Sequence, residues 1–336
     1  MSTKGFFNIR KSKEPKTLVI GIHGLGNKPA HSLIKLWWKK SLLEGLKKTE
    51  GAPSNFNFAM VYWADIMYPQ PLNPNVKDSD NELFIDEPYM PEPIQAPKVK
   101  NNIWHIVKHS IERVKEVIFL SKNGLANYRL PFDLVIRNSF KDLAAYYDDD
   151  KTDEQLLDHI PVKNLLRARL SKKIYTNRHK RIMIVAHSMG SLISYDVLHR
   201  LTSNYNIDTF VSMGSPLGLP ILRENIAKEH GLTYEDGDML PTPESIDNWH
   251  NLSDKDDHFA VYHCLAEFFA PNSKGVGPID QLVHNDYKDW ITENAHKSFG
   301  YMRTPEMGKI LSDFLNKKPE SIWQKTKRIF KKDAKR

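Results

Sequence analysis

The segment AHSMG, at residues 186–190, presents a serine in a setting that suits nucleophilic chemistry. It follows an apolar, β-branched run and precedes an apolar stretch with helical spacing, and this strand–turn–helix context is that of a nucleophile elbow. Such an elbow exposes its serine hydroxyl at the carboxyl edge of a sheet, where the hydroxyl can attack an acyl carbonyl. The tight turn needs small residues two positions before and after the serine, and Ala186 and Gly190 meet this need. We therefore predict that Ser188 is a nucleophile.

A second motif, GIHGLGNKP at residues 21–29, comes at the end of the first apolar run. Attack on an acyl carbonyl places negative charge on its oxygen, and two preorganised backbone N–H groups can stabilise that charge. We predict these oxyanion donors at Leu25 and at Met189, the residue after the candidate nucleophile, with His23 holding the loop. The glycines fall as GxxGxG rather than GxGxxG, which argues against a dinucleotide-binding turn, and the sequence contains no GxxxxGK[ST] phosphate loop.

The motifs HGLG and AHSMG, each at the end of a predicted strand, resemble those of the α/β-hydrolase superfamily, in particular its lipase-like members. The stretch VSMGSPLG at 211–218 is similar to the strand and Gly-Ser-Pro turn that follow the elbow helix in many of these enzymes. The resemblance covers about 17–63 and 181–316 and says little about 64–180. It implies an α/β fold with a mostly parallel sheet flanked by helices, and a Ser–Asp–His triad.

The resemblance also directs the search for the acid and the base, which follow the serine in the order Asp, His. The segment 249–260 offers three acids, and DHFA matches the family's spacing best at Asp257, with Asp254 as the alternative. The acids of this cluster that are not catalytic are expected in a solvated turn. His296 fits the family pattern of a histidine, an aromatic-Gly-Tyr stretch and a closing helix. His284, at the end of the preceding predicted strand, is the alternative base.

These assignments predict catalysis through an acyl-enzyme. His296 would take the proton of Ser188 as the hydroxyl attacks, the acid would fix the imidazole tautomer, and water would release the acyl group. This chemistry requires neither a metal nor an organic cofactor. His105 and His109 have a spacing that can bind zinc on one helix face, but they lie on the polar face of an amphipathic helix predicted at 103–120, and a solvated face explains them.

The elements that must position these residues alternate along the chain, which indicates a mostly parallel sheet with helices on both faces. Strands are predicted at 17–24, 56–63, 181–188, 209–213, 249–252 and 279–283, and helices at 32–48, 103–120, 131–147, 153–172, 190–202 and 305–315. The long interval before the AHSMG strand indicates an insertion over one edge of the sheet. We predict a polar lead-in at 1–16, a core at 17–66 and 181–316, a cap or lid at 67–180, and a basic tail at 317–336.

The net charge of +7 is concentrated in the tail, where nine Lys and Arg residues accompany two acids. The rest of the chain is therefore neutral, and no nucleic-acid partner is expected. The tail also carries an apolar group at helical spacing, which predicts either a peripheral membrane contact or a disordered basic tail: Ile322, Trp323, Ile329 and Phe330. A single cysteine and the absence of an apolar secretory segment predict a cytoplasmic protein.

Two hypotheses follow from the sequence. The first is a serine hydrolase that cleaves carboxylic esters, and the lid-sized insertion and amphipathic tail favour lipid-like esters. The alternative is a non-catalytic hydrolase-fold protein that binds a ligand in the same pocket, because one fold hosts many functions. The presence of a serine, acids and histidines in the required order favours catalysis. The sequence leaves open the acyl length and whether the scissile bond is an ester, a thioester or an amide.

Overall fold

A computed structural model describes residues 17–92, 141–147, 160–201, 205, 207–235, 237–288 and 293–318. The predicted lead-in at 1–16, the helix at 103–120 with its two histidines, and residues 319–336 of the tail lie outside this part of the chain. Much of the predicted cap does so as well. Within the described ranges, none of the helices combines the length and the apolar character needed to span a lipid bilayer.

Eight strands occur in the described ranges: β1 (Thr17–Ile22), β2 (Phe58–Val61), β3 (Arg181–His187), β4 (Ile207–Met213), β5 (Leu240–Pro241), β6 (Trp249–Ser253), β7 (Phe269–Ala270) and β8 (Pro278–Leu282). Six of them form the central sheet in the order β2–β1–β3–β4–β6–β8, and every neighbouring pair is parallel. The two shortest strands, β5 and β7, pair separately. The central strands β3 and β4 are almost wholly buried, as expected for a parallel sheet covered on both faces.

Alternation along the strands sends side chains into two separate hydrophobic cores. In β3, Ile182 and Ile184 pack into one core, whereas Met183 and Val185 pack into the other. This is the period of two that places successive side chains on opposite faces of a strand. Both faces of the sheet therefore need a covering layer of helices.

Helices supply these two layers. The first layer comprises α1 (His31–Lys47), α7 (Ser298–Arg303) and α8 (Pro305–Asn316); the second comprises α3 (Lys141–Tyr147), α4 (Val162–Thr176), α5 (Met189–Arg200) and α6 (Pro220–Glu229). A single helical turn, α2 (Ala64–Met67), follows β2. Helices α3 and α4 come from the segment predicted as a cap, and their apolar side chains belong to the core beneath them.

The predicted fold class is confirmed: a mostly parallel sheet is flanked by helices, as in the α/β-hydrolase fold. The bounds of the individual elements differ modestly from prediction. For example, β2 is confined to Phe58–Val61 rather than 56–63. Helices α6 and α7 were not predicted, because each is short: Leu222 and Ile226 of α6 lie four positions apart, but the helix ends before this spacing repeats.

A buried group of charges joins the helices of the second layer. Arg167 of α4 donates from Nη2 to Asp196 of α5 at 2.8 Å and from Nε to the hydroxyl of Tyr146 in α3 at 2.8 Å. Arg167 also reaches Glu229 of α6 at 3.1 Å, and His230 lies 2.9 Å from Asp196. The guanidinium thus has an acceptor in each neighbouring helix, which satisfies a charge that would otherwise be costly to bury.

Candidate active site

Ser188 occupies a strained turn between β3 and α5. Its φ is 52°, and no other non-glycine residue among those described has a positive φ. The surrounding backbone leaves little space, since a Cβ on Gly190 would lie 2.6 Å from the carbonyl oxygen of Ile22, and one on Gly24 would lie 2.7 Å from the Cβ of Ser188. The Ser188 N–H donates to the Met213 carbonyl at 3.0 Å. Strained backbone of this kind costs on the order of 1–3 kcal/mol and is concentrated at functional sites.

Asp257 and His296 form a hydrogen-bonded pair. Asp257 follows β6, His296 precedes α7, and Nδ1 of the imidazole lies 2.9 Å from each oxygen of the carboxylate. The ring of Phe259 stacks on the imidazole, with the ring centroids 4.1 Å apart. The carboxylate and the phenyl ring therefore hold the imidazole in one orientation, with Nδ1–H as the donor and Nε2 left to accept a proton.

The carboxylate of Asp257 is buried and remains the ionised partner in this pair. It accepts hydrogen bonds from the Tyr301 hydroxyl at 2.6 Å and from the Phe259 N–H at 2.9 Å. Burial alone would raise the pKa of Asp257, but the neighbouring His296 and these two donors outweigh it and lower that pKa below its ordinary value. The hydroxyl of Tyr301 in turn accepts from the Asp254 N–H at 2.9 Å. Tyr301, the tyrosine of the aromatic-Gly-Tyr stretch, thus belongs to this site, a role that its sequence context does not indicate.

The alternative residues Asp254 and His284 are not hydrogen-bonded to each other. Nδ1 of His284 lies 3.9 Å from the Asp254 carboxylate, and the His284 side chain is 85% exposed. Asp254 itself is buried, so the expectation of a solvated turn is wrong at this position. Its two oxygens accept from the N–H groups of Asp256 at 2.8 Å and Asn285 at 2.6 Å. Asp254 therefore joins two loops, and this structural use explains its burial.

Ser188 and His296 line the same cavity, but no hydrogen bond joins their side chains in the structure. His187, which directly precedes Ser188, contacts the loop of His296: its Nε2 lies 2.6 Å from the His296 carbonyl oxygen. The rings of the two histidines lie 4.7 Å apart. Burial, followed by the nearby His296, lowers the pKa of His187 well below its ordinary value, which favours the neutral ring. Hydrogen bonds of catalytic groups are often long before substrate binds.

Both predicted oxyanion donors belong to backbone close to Ser188. The Met189 N–H opens helix α5, and the Leu25 N–H follows Gly24, which packs against Ser188. Among the described residues, neither N–H has a hydrogen-bond acceptor. His23 is fully enclosed below this loop: its Nε2 accepts from the Trp63 N–H at 3.1 Å, and its Nδ1 lies 2.9 Å from the Gly24 carbonyl oxygen.

The cavity at Ser188 has a volume of about 810 Å³, within the range that holds small organic ligands. Its wall mixes apolar and charged groups. The apolar groups include Leu25, Trp37, Leu72, Ile85, Phe259 and Phe299, and the charged ones include Lys28, Glu87, Asp142, Asp254 and Lys297. Within the described ranges, no cluster of three or more His, Cys, Asp or Glu residues is arranged to hold a metal ion. The cavity can therefore accept a molecule with both an apolar and a polar part.

In a comparison with known families, residues 165–221 match the model described as lecithin:cholesterol acyltransferase. This stretch contains most of α4, all of β3, the turn at Ser188, α5 and β4. It contains neither Asp257 nor His296. Comparison with curated proteins gives no match. The chain is thus similar to this acyltransferase family around the turn at Ser188, which agrees with the α/β-hydrolase fold.

Proposed function

We propose that this protein is a serine hydrolase that cleaves esters of lipid-like molecules through an acyl-enzyme on Ser188. The observation that carries the proposal is the hydrogen-bonded Asp257–His296 pair, whose imidazole lines the same cavity as Ser188, a serine held in a strained turn. The similarity around this elbow to lecithin:cholesterol acyltransferase supports an enzyme that acts on lipid esters. A cytoplasmic location and a peripheral membrane contact through 317–336 also belong to this proposal.

In the proposed mechanism, Nε2 of His296 takes the hydroxyl proton as Oγ of Ser188 attacks the ester carbonyl carbon. Asp257 holds the Nδ1–H tautomer and stabilises the imidazolium that forms. The N–H groups of Leu25 and Met189 donate to the oxyanion. The imidazolium then returns the proton to the leaving alcohol, and the acyl group remains on Ser188. Because Ser188 and His296 are not yet hydrogen-bonded, substrate binding must bring these two side chains together.

In deacylation, His296 takes a proton from an acceptor molecule, which attacks the carbonyl carbon of the acyl group and releases Ser188. Water as the acceptor gives a fatty acid, which is hydrolysis, whereas an alcohol gives a new ester, which is acyl transfer. The match to an acyltransferase family favours measuring both products. Mass spectrometry of the products, with and without a long-chain alcohol, distinguishes the two outcomes.

The second candidate function is ligand binding without catalysis in the same cavity. The lack of a hydrogen bond between Ser188 and His296 is the observation that favours it. Hydrolysis of p-nitrophenyl esters with acyl chains from C2 to C16 separates the two candidates when wild type is compared with Ser188→Ala. We expect turnover that falls by several powers of ten in the variant. Turnover that is unchanged by Ser188→Ala would contradict the proposed enzyme.

The membrane contact has its own test. Co-sedimentation with vesicles that contain anionic lipid should be strong for the full chain and weak for a chain ending at residue 316, because a basic amphipathic segment binds anionic surfaces. Binding that survives the truncation unchanged would contradict a role for the tail. Ester hydrolysis of a soluble substrate by both proteins serves as the control for folding.

A further inference from the structure

The loop that carries the Leu25 N–H is held by side chains on several sides. In the peptide between Gly24 and Leu25, the Gly24 carbonyl oxygen accepts a hydrogen bond from the ring of His23. Because Nε2 of His23 accepts the Trp63 N–H, the ring proton must lie on Nδ1, which donates to the Gly24 carbonyl at 2.9 Å. Burial, and then the charge of Lys28, lower the pKa of His23 well below its ordinary value and keep this neutral tautomer. Since the carbonyl and N–H of a trans peptide point in opposite directions, the Leu25 N–H faces away from the ring.

The next peptide, between Leu25 and Gly26, is held at both edges. Its carbonyl oxygen accepts a hydrogen bond from Nζ of Lys28. Its N–H donates to Oδ2 of Asp142 at 2.6 Å. An amino group and a carboxylate therefore hold opposite edges of one peptide plane. Nζ of Lys28 also donates to the carbonyls of Gly26 at 2.9 Å and Asn27 at 3.3 Å, so three consecutive carbonyls of the loop face this one group.

Asp142 lies 116 positions from Gly26 in the sequence and belongs to α3, within the segment predicted as a cap. Asp142 as a whole residue is 4% exposed, and its Oδ1 accepts a hydrogen bond from the Tyr68 hydroxyl at 2.7 Å. The next residue, Leu143, packs into the core of the second helical layer. The carboxylate is thus delivered to the loop by a helix with its own anchoring in the core, rather than by a freely moving surface segment.

We propose that Lys28 and Asp142 are positioning residues that clamp the Leu25–Gly26 peptide and so orient the neighbouring Leu25 N–H for the oxyanion. The inference rests on the proposed serine hydrolase function. It makes the docking of α3 a requirement for full activity, because the inserted segment supplies one half of the clamp. Neither residue exchanges a proton with the substrate in this role.

Positioning makes a distinctive kinetic prediction. An oxyanion donor acts mainly on the transition state, and loss of one such donor costs on the order of 10²–10³ in kcat. Misorientation of the Leu25 N–H should therefore lower kcat by roughly 10- to 100-fold in Lys28→Met and Asp142→Ala, with KM changed by less than about threefold. Asp142→Asn retains an acceptor for the Gly26 N–H and should recover part of the lost kcat.

The test compares these variants with Lys35→Met, which removes an exposed lysine of α1 by the same substitution. Ester turnover gives kcat and KM separately, and circular dichroism confirms folding. If Asp142→Ala does not fold, Tyr68→Phe removes one support of the carboxylate and should lower kcat by a smaller factor. Equal kcat in Lys28→Met, Asp142→Ala and wild type would overturn the clamp. So would a loss confined to KM, or no difference between Asp142→Asn and Asp142→Ala.

The wild-type measurement separates this failure from that of the proposed function. If wild type hydrolyses the ester and Ser188→Ala does not, the proposed serine hydrolase function is supported. The Lys28 and Asp142 variants then test only the clamp. If wild type neither turns over nor reacts at Ser188 with a fluorophosphonate, both proposals are overturned together.

Discussion

Replacing Asp257 by Asn keeps the size of the side chain almost unchanged but replaces one carboxylate oxygen, a hydrogen-bond acceptor, by an NH₂ donor. The carboxylate receives the Nδ1–H of His296 at 2.9 Å from both oxygens. In Asp257→Asn the carboxamide oxygen would keep the hydrogen bond from the Phe259 N–H, which is made to Oδ1 in wild type. The NH₂ group would then take the place of Oδ2, where it lies beside both the imidazole and the Tyr301 hydroxyl. An NH₂ group favours an imidazole that carries its proton on Nε2. Such an imidazole cannot take the proton of Ser188.

The expected loss follows from this change of tautomer. A triad whose aspartate becomes asparagine while the geometry stays intact loses about 10⁴ in kcat. We expect a loss of about 10³–10⁴ in Asp257→Asn for ester hydrolysis, with KM little changed. Stopped or continuous assays of p-nitrophenol release can measure a loss of this size in kcat. Each variant is purified on its own column, so that traces of wild type do not contribute to the measured rate.

Asp254→Asn is the matched control, because Asp254 is also buried and lies three positions away. Its carboxylate accepts two backbone N–H groups rather than an imidazole. Hydrogen bonds to charged groups contribute about 1.5–3 kcal/mol each, so this variant should lower the free energy of unfolding by about 1–3 kcal/mol and leave kcat within a few-fold. The account is refuted if Asp254→Asn abolishes turnover as fully as Asp257→Asn does, or if Asp257→Asn keeps more than a tenth of wild-type kcat.

Three further predictions concern stability. Gly190→Ala should lower the midpoint of thermal unfolding or prevent folding, because the added Cβ would lie 2.6 Å from the Ile22 carbonyl oxygen; a midpoint equal to wild type would contradict this packing. Arg167→Met should lower the free energy of unfolding, measured by urea denaturation, by about 3–5 kcal/mol, because it leaves the buried Asp196 carboxylate without the Arg167 guanidinium. A decrease below about 1 kcal/mol would contradict the burial of this ion pair. Burial and Lys297 lower the pKa of Lys28 to about 7, so above that pH the unfolded chain binds a proton that the folded chain has released. The stability of wild type relative to Lys28→Met should therefore rise from pH 7 to pH 9, by up to about 1.4 kcal/mol per pH unit, and a flat or falling difference would contradict it.

The sequence predicts the sheet well because its strands are short apolar runs whose neighbours are helices. Ile182 and Met183 of β3 pack into opposite cores, so both faces of this strand are buried. The strand is therefore a continuous apolar run, which can be recognised in the sequence although polar and apolar residues do not alternate along it. The strained turn at Ser188 can be recognised for a different reason. Its small residues fall within five consecutive positions, although the Ile22 carbonyl oxygen that leaves no space for a Cβ at Gly190 belongs to a distant strand.

Contacts between distant segments are what the sequence does not reveal. Asp142 and Gly26 meet across 116 positions, and nothing in either local sequence indicates the pairing. The burial of Asp254 likewise depends on the Asn285 N–H, which a loop 31 positions later supplies. Helix α6 was missed because PILRENIAKE places only a few apolar residues among charged ones, and its core contacts through Leu222 and Ile226 emerge only once α4 and α5 are in place.

The most direct test of the central claim is the rate at which a fluorophosphonate modifies Ser188, with the modified peptide identified by mass spectrometry. The account predicts one adduct, on Ser188, formed rapidly in wild type and slower by at least about 10³ in His296→Ala, because the imidazole accepts the serine proton. His284→Ala, which removes an exposed histidine from the same cavity, should react within a few-fold of wild type. An adduct on another serine, or a Ser188 rate that is the same with and without His296, would contradict the account.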